Sequence, residues 1–272
     1  MFTNQPPKLS SRIRFLKQTL KTLGFTDTLR ATDLMIEEMC AEKNFVRQGD
    51  GSHYYYHLAS VTQKLANFGC HDQATLTAAM LHDAIEDVQW ITEEYLRREY
   101  GEDVSKTVAL VTKDPNIDYK RNPEELDKYL YIIAQTLRSA LVKASDRVHN
   151  FGTLAGTSPE KQLRQALETE RHFFPFFKYC RETYPEYSDF FFEAKTQIEP
   201  HLEKIKASAL ADAVSKAQQK ALRDLVEAGT PPQTAESFDT LMLSIKENTT
   251  VYVETQYKRY LSGEIASAVD LI

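Results

Sequence analysis

The chain predicts an all-α fold, and three observations carry that expectation. Only nine glycines and ten prolines interrupt its 272 residues, so long stretches run without a breaker. Apolar residues recur at three- and four-residue spacing, which lines one face of a helix. Caps and breakers stand where those runs begin and end. Together they describe a helical bundle over residues 1–204 and a mostly helical C-terminal appendix over residues 205–272.

Taken in order, Ser10 or Ser11 caps a first helix bearing Ile13, Phe15, Leu16, Leu20 and Leu23, which Gly24 ends. A second helix spans residues 27–43. A loop rich in Gly, Asp and Ser follows over residues 46–56, holding Arg47, Gly49 and Gly51, and His57 opens a third helix that stops at Gly69. Asp72 caps the next, which is expected to run through to Asp87. Thr92 with Glu93 and Glu94 starts a short helix, since acids favour the positive end of the helix dipole, and residues 104–112 form another. Residues 113–123 are a polar loop that is either a solvated connector or a source of ligand contacts. Asn122-Pro123-Glu124-Glu125 starts a helical pattern reaching Asn150, with a break near residues 137–139 left open. Ser158-Pro159-Glu160 opens a long helix, and the Phe and Tyr cluster of residues 172–192 reads as core packing. Residues 206–228 are rich in Ala, Lys and Gln and read as helix, residues 229–232 break it, and residues 236–246 are helical again. Residues 249–255 fit a short strand or a helix equally.

Composition narrows the function. With 42% apolar and 26% charged residues the chain has the balance of a soluble globular protein, and its length allows a large core. A net charge of -6 argues against a general nucleic-acid binder while leaving room for a local basic pocket around a small phosphorylated ligand. Cys40, Cys70 and Cys180 show no CxxC spacing, which fits a reducing cytoplasm and excludes a cysteine-only zinc site. No apolar run approaches the roughly 18 residues of a membrane span, and residues 1–11 lack the apolar core of a signal peptide. The expectation is a cytoplasmic protein without membrane or nucleic-acid partners, whose appendix is a packed extension or a surface for a homo-oligomer or protein partner.

The chemistry gathers around residues 80–87, Met-Leu-His-Asp-Ala-Ile-Glu-Asp. On one continuous helix, His82 and Glu86 stand four apart, as do Asp83 and Asp87, placing four ionisable groups in two adjacent rows. Apolar neighbours would hold these groups out of water, so a cation is the natural compensation. His57 and Asp146 on other helices complete a set of two His and two Asp, a mixed nitrogen and oxygen site suited to Mn²⁺, Fe²⁺, Co²⁺ or Zn²⁺. Glu86 would then stand beside the ion's open positions, where it could take a proton from an activated water.

The order His57, His82-Asp83, Asp146 resembles the HD superfamily of metal-dependent phosphohydrolases. Further stretches narrow the resemblance to the hydrolase domain of RelA/SpoT homologues, the stand-alone small alarmone hydrolases in particular. They are Val46-Arg47, residues 78–87, Tyr100-Gly101-Glu102-Asp103-Val104, residues 110–113, residues 142–150 with Thr153-Leu154, and residues 159–162. The resemblance implies an HD-domain bundle that holds a single Mn²⁺ through His57, His82, Asp83 and Asp146. It gives Glu86 and Asp87 to water activation and the inner wall, Arg47 to the guanine nucleotide, and Asn150 and Thr153 to the base or sugar. The implied reaction removes pyrophosphate from the 3′ position of ppGpp or pppGpp. A substrate of that charge calls for a positive rim, for which Arg47, Lys113, Lys120, Arg121, Lys143, Arg147 and Lys161 are candidates. Leu58 replaces a usual Pro, the loop after Arg47 has one extra residue, and Gly152 stands where a basic residue is common. Two alternatives stay open: a phosphohydrolase of another nucleotide (a dNTP, a cyclic nucleotide or the 2′-phosphate of NADPH), or a non-catalytic nucleotide sensor. The appendix is too short for a synthetase domain, so the expectation is a hydrolase alone.

Overall fold

The structure is a computed structural model and describes residues 10–47, 51–230 and 232–268. The expected loop glycine, Gly49, lies outside the described residues. Among the described residues there is no strand; a lone antiparallel bridge joins Val46 to His53 across the loop that carries Arg47.

The bundle forms from α1 (Ser11–Leu23), α2 (Thr26–Glu38), α3 (Tyr55–Asn67), α4 (Gln73–Leu81), α5 (Ala84–Asp87), α6 (Glu93–Tyr100), α7 (Glu102–Val111), α8 (Pro123–Ile133) and α9 (Leu137–Gly152). It continues through α10 (Pro159–Glu168) and α11 (Phe174–Thr183) into α12 (Ser188–Glu227) and α13 (Ala235–Leu261). Ser10 and Asp72 cap α1 and α4 as their sequence positions predict, and Gly24 closes α1 at φ 74°, a left-handed value that suits glycine. Thr136 caps α9 by accepting from the Ser139 amide, which separates α8 from α9 a few residues before the predicted break.

α4 occupies the centre. Thr75 through Leu81 are all buried, so no face of this helix meets solvent, and α2, α3, α7 and α9 pack around it. His57, Leu58, Val61 and Leu65 line the inner face of α3; Leu141, Val142 and Asp146 line that of α9. Phe15, expected inward, is exposed because it falls between the Ile13/Leu16/Leu20 stripe and solvent. Phe173, Phe176, Phe177, Phe190 and Phe191 are core residues, as their spacing suggests.

Three local expectations give way to packing. The helix from Asp72 does not continue to Asp87: it ends at Leu81, and Asp83 takes φ -99° and ψ 1°, a bridge-region backbone frequent at active sites. His82 and Glu86 therefore do not share one uninterrupted helical row, nor do Asp83 and Asp87. The second helix stops at Glu38, and residues 41–43 form a separate 3₁₀ turn. Between α10 and α11 a π turn, Thr169–Phe173, breaks the predicted long helix. Pro175 explains it, since its ring would meet the carbonyl of residue 171 in an unbroken α-helix.

Residues 249–255 are helical, within α13. α12 runs without interruption through residue 204, so the change in composition marks the point where the helix leaves the bundle: Leu202 is its last buried residue. Beyond it α12 pairs with α13 as an antiparallel hairpin. Ala209, Ala213, Ala217 and Ala221, four residues apart, form a half-buried seam that admits α13 closely. No described helix is long and apolar enough to cross a membrane.

Candidate metal centre and active site

The start of α3, the turn after α4 and the middle of α9 converge on one point. α3 presents His57, the turn after α4 presents His82 and Asp83, and α9 presents Asp146. His57 Nε2 lies 3.2 Å from His82 Nε2, 3.2 Å from Asp146 Oδ1 and 3.6 Å from Asp83 Oδ2. His82 Nε2 lies 3.3 Å from Asp83 Oδ2 and 3.6 Å from Asp146 Oδ1. Adjacent ligands bonded at about 2.1 Å to one ion stand about 3.0–3.5 Å apart, and the five distances above, 3.2–3.6 Å, lie close to that spacing. His57, His82 and Asp83 form a group that can hold a divalent metal ion, and Asp146 closes its fourth side.

The electrostatics of the cluster point the same way. Burial disfavours a charge on His82, yet Asp83 and Asp146 outweigh it and push the imidazole up to about 9. Burial lowers His57, with the charge of His82 adding to the effect. Burial would raise Asp146, but Lys143, His57 and His82 hold its carboxyl well below the usual range. A divalent ion among these groups would balance both carboxylates without protonating an imidazole.

The surroundings orient each ligand. His82 Nδ1 donates to the Ala79 carbonyl at 2.8 Å, leaving Nε2 to face the centre. His57 Nδ1 and His149 Nδ1 share a hydrogen bond of 2.7 Å, and the tautomer that frees His57 Nε2 makes His149 the acceptor. His149 suits that role: burial, then the charges near His57 and Arg47, lowers it to about 3, so it stays neutral. Tyr54 donates to Asp83 Oδ2 at 2.8 Å. Lys143 and Asn150 hold Asp146, at 3.0 Å to Oδ2 and 2.6 Å to Oδ1. Sequence reasoning missed His149 and Tyr54. Both stand three residues from a ligand, Asp146 and His57, a spacing that returns a helical side chain to the same face.

A cavity of about 330 Å³ opens directly on the cluster, lined by His57 and His149 with Arg12 and Arg47 among others, and two more flank it. One, of about 350 Å³, is lined by Arg47, Tyr54, Asn150, Thr153, Leu154 and Lys161, among others. Arg47 donates to Asn150 Oδ1 at 3.1 Å and Thr153 Oγ1 at 2.8 Å and lies 5.5 Å over the Tyr54 ring, so three residues expected at the nucleotide are already assembled. Burial, then Arg164 and Arg47, lowers the Lys161 ammonium. The other cavity, of about 490 Å³, has Glu86 on one side and Lys113, Tyr119 and Lys120 on the other. Lys113 and Lys143 sit 5.9 and 5.8 Å from the same Tyr129 ring, which links this cavity to the Asp146 side of the cluster. Burial, then the charge of Lys143, lowers Lys113 to about 8. Asp87, next to Glu86, is raised to about 6 by partial desolvation of its carboxyl, then by the charges of Asp83 and Glu86.

Two basic residues have other work than substrate contact. Lys143 is buried against Asp146. Arg147 points to the far side of α9: its Nε donates to Thr169 Oγ1 at 2.8 Å, its Nη1 to Gln165 Oε1 at 2.6 Å, and it pairs with Glu168 at 3.2 Å while lying 4.0 Å from the Phe173 ring centre. With its donors so occupied, Arg147 clamps α9 to α10 and the π turn and does not reach either cavity, contrary to the expectation for a positive rim.

Two His and two Asp brought together from three elements of an all-α bundle form the arrangement of an HD-type metal site. The HD-domain family profile matches residues 35–178, and the chain belongs to that family. Among curated proteins it is similar to a guanosine-3′,5′-bis(diphosphate) 3′-pyrophosphohydrolase of Aquifex aeolicus, with 34% identity over 173 residues, 57% of this chain and 25% of that protein. It is also 34% identical over 133 residues to a probable enzyme of the same description from Synechocystis, covering 47% of this chain and 17% of the relative. A GTP pyrophosphokinase of Streptomyces coelicolor shares 35% identity over 125 residues, 45% of this chain and 14% of the relative. The chain therefore spans a quarter or less of the length of these relatives.

Proposed function

We propose that this protein is a (p)ppGpp 3′-pyrophosphohydrolase whose Mn²⁺ is held by His57, His82, Asp83 and Asp146. The observation that carries the reading is the spacing of four ligand atoms at 3.2–3.6 Å beside two cation-lined cavities. Its support is chemical: the cavities offer Arg47, Lys161, Lys113 and Lys120 to an anionic ligand, and the relatives' names concern guanosine 3′-diphosphates. A divalent ion bound there supplies Lewis acidity toward a phosphoryl oxygen and neutralises charge. Arg47, steadied by Asn150, Thr153 and the Tyr54 ring, holds the nucleoside portion. Lys113 and Lys120 face the 3′-diphosphate. Glu86 takes one proton from the attacking water as its oxygen bonds to the phosphorus attached to O3′. The bond to O3′ breaks, pyrophosphate departs, and one proton is returned to O3′, giving GDP or GTP. Lys143 keeps Asp146 ionised throughout, and His149 keeps the His57 tautomer fixed.

The test is a nucleotide panel with purified protein and Mn²⁺, products separated by chromatography. GDP and pyrophosphate from ppGpp are expected. Turnover confined to dNTPs, cyclic nucleotides or NADPH would assign another substrate to the same site, and tight binding without turnover would make it a sensor.

A further inference from the structure

The five residues of the π turn reach four separate parts of the molecule. Thr169 receives Arg147 from α9, Glu170 binds Lys206 of α12 at 2.9 Å, and His172 bonds Asp127 of α8 at 2.6 Å. Arg171 instead reaches the C-terminal segment. Its Nη1 donates to the carbonyls of Ile265 and Ala266 at 3.0 and 2.9 Å, and its guanidinium lies 4.8 Å from the Tyr260 ring centre. Tyr260 is the first buried residue of α13, and Gly263, at φ 90°, turns the chain back after the helix ends. Ser267 and Ala268 are then buried against the bundle.

Ser267 Oγ donates to the Lys120 carbonyl at 2.6 Å, a contact across 147 positions of sequence. Lys120 belongs to residues 113–122, the cavity wall facing Glu86. Within that wall Tyr119 packs on Tyr129 at 5.4 Å between ring centres, and Lys113 Nζ lies 5.2 Å over the Tyr119 ring. Contacts therefore run without a gap from the end of α13 through Ser267, Lys120 and Tyr119 to Lys113.

We infer that Arg171 and Ser267 form a clasp that holds residues 113–122 against the site and so sets its affinity for an anionic ligand. Both are positioning residues, since neither lines the cavity. The inference deepens the proposed hydrolase reading by giving the C-terminal segment a role in ligand affinity, and it rests on that reading for the identity of the ligand. It also predicts that whatever engages the α12/α13 hairpin is felt at the site through Tyr260 and Arg171.

Hydrogen exchange and ligand binding on the full chain test it together, using Ser267→Ala and the hydroxyl-retaining Ser267→Thr. The amides of Ile117, Tyr119, Lys120, Arg121 and Asn122 are bonded within their own loop, so their exchange reports how often it opens. Losing one hydrogen bond should speed their exchange by about fivefold in Ser267→Ala, leaving α3 and α4 unchanged. KM for ppGpp and the Kd for inorganic pyrophosphate should rise by a similar factor at constant kcat, and Ser267→Thr should restore all three. Unchanged exchange in residues 117–122 overturns the clasp. Faster exchange with unaltered pyrophosphate affinity overturns its role at the site, as does wild-type protein that binds no pyrophosphate. Wild-type protein inert toward ppGpp, yet binding pyrophosphate more weakly after Ser267→Ala, would remove the hydrolase reading and leave the clasp standing.

Discussion

From Thr75 to Leu81 every residue of the central helix is buried, and His57 of α3, His82 and Asp83 after α4 and Asp146 of α9 close on one another beside it. From residue 206 to residue 259, by contrast, no described residue is buried, although the chain there is almost wholly helical. The same secondary structure thus serves two different ends. In the bundle, burial makes charge expensive, and the buried or half-buried charges Asp146, Asp83 and Arg147 are held by Lys143, Tyr54 and Glu168. In the hairpin, charge is solvated and cheap, and among the described residues the two helices pair along a half-buried alanine seam, with Gln218 Nε2 donating to the Met242 carbonyl at 2.9 Å. The lesson is that the pairing of charge in this molecule follows burial, and Tyr260 and the turn after it are where the hairpin returns to buried surroundings.

That contrast can be broken most severely at a ligand. Asp146→Ala should lose bound metal, measured by elemental analysis after dialysis, and lose turnover with it; a variant that retained both would dissolve the four-ligand centre. Glu86→Gln should retain the metal and lower kcat by about a hundredfold, the usual scale for a general base. Full activity in that variant would end the role of Glu86. His149→Ala should weaken metal binding by about ten- to a hundredfold, as loss of a partner that orients a ligand does, visible in a competition titration against a chelator.

Smaller effects sharpen the picture. Lys113 carries its charge below about 8 and loses it above, because burial and Lys143 lower its ammonium. KM for an anionic substrate should therefore rise as pH increases through about 8, by about tenfold if one charge-assisted contact is lost, and Lys113→Arg should flatten that limb. At the other end of the comparison, Leu243 and Val251 are 55% and 65% exposed. Changing either to Lys should alter stability by no more than about 0.5 kcal/mol in chemical denaturation. A loss well beyond that, with a fall in mass by light scattering, would mean that the hairpin is covered in solution by a second copy, the homo-oligomer its composition allows.

Much of this was legible in the residues. Ser10, Asp72, Thr92, Pro123 and Ser158 mark helix starts through local hydrogen bonding or fixed φ, which needs no distant partner. The order His57, His82-Asp83, Asp146 was readable through the family resemblance it carries, and the structure brings those four residues together. The break after Leu81 was not readable: the run from Thr75 to Ile85 contains neither Gly nor Pro, and the turn exists because it brings His82 and Asp83 to His57 and Asp146. Arg147 looked like part of a positive rim, and only the position of Glu168 and Phe173 shows which side of α9 it serves.

The sequence by itself determined the helices, their caps, the ligand chemistry and the solvated character of residues beyond Leu202. These follow from interactions within a few residues of chain and from side-chain chemistry. Tertiary structure alone decided the bent approach of Asp83, the pairing of His149 with His57, and the return of Ser267 to Lys120. Each is a contact between residues distant in sequence or a backbone turn made to serve one, and its free energy depends on which groups share a buried environment, a property no local pattern encodes.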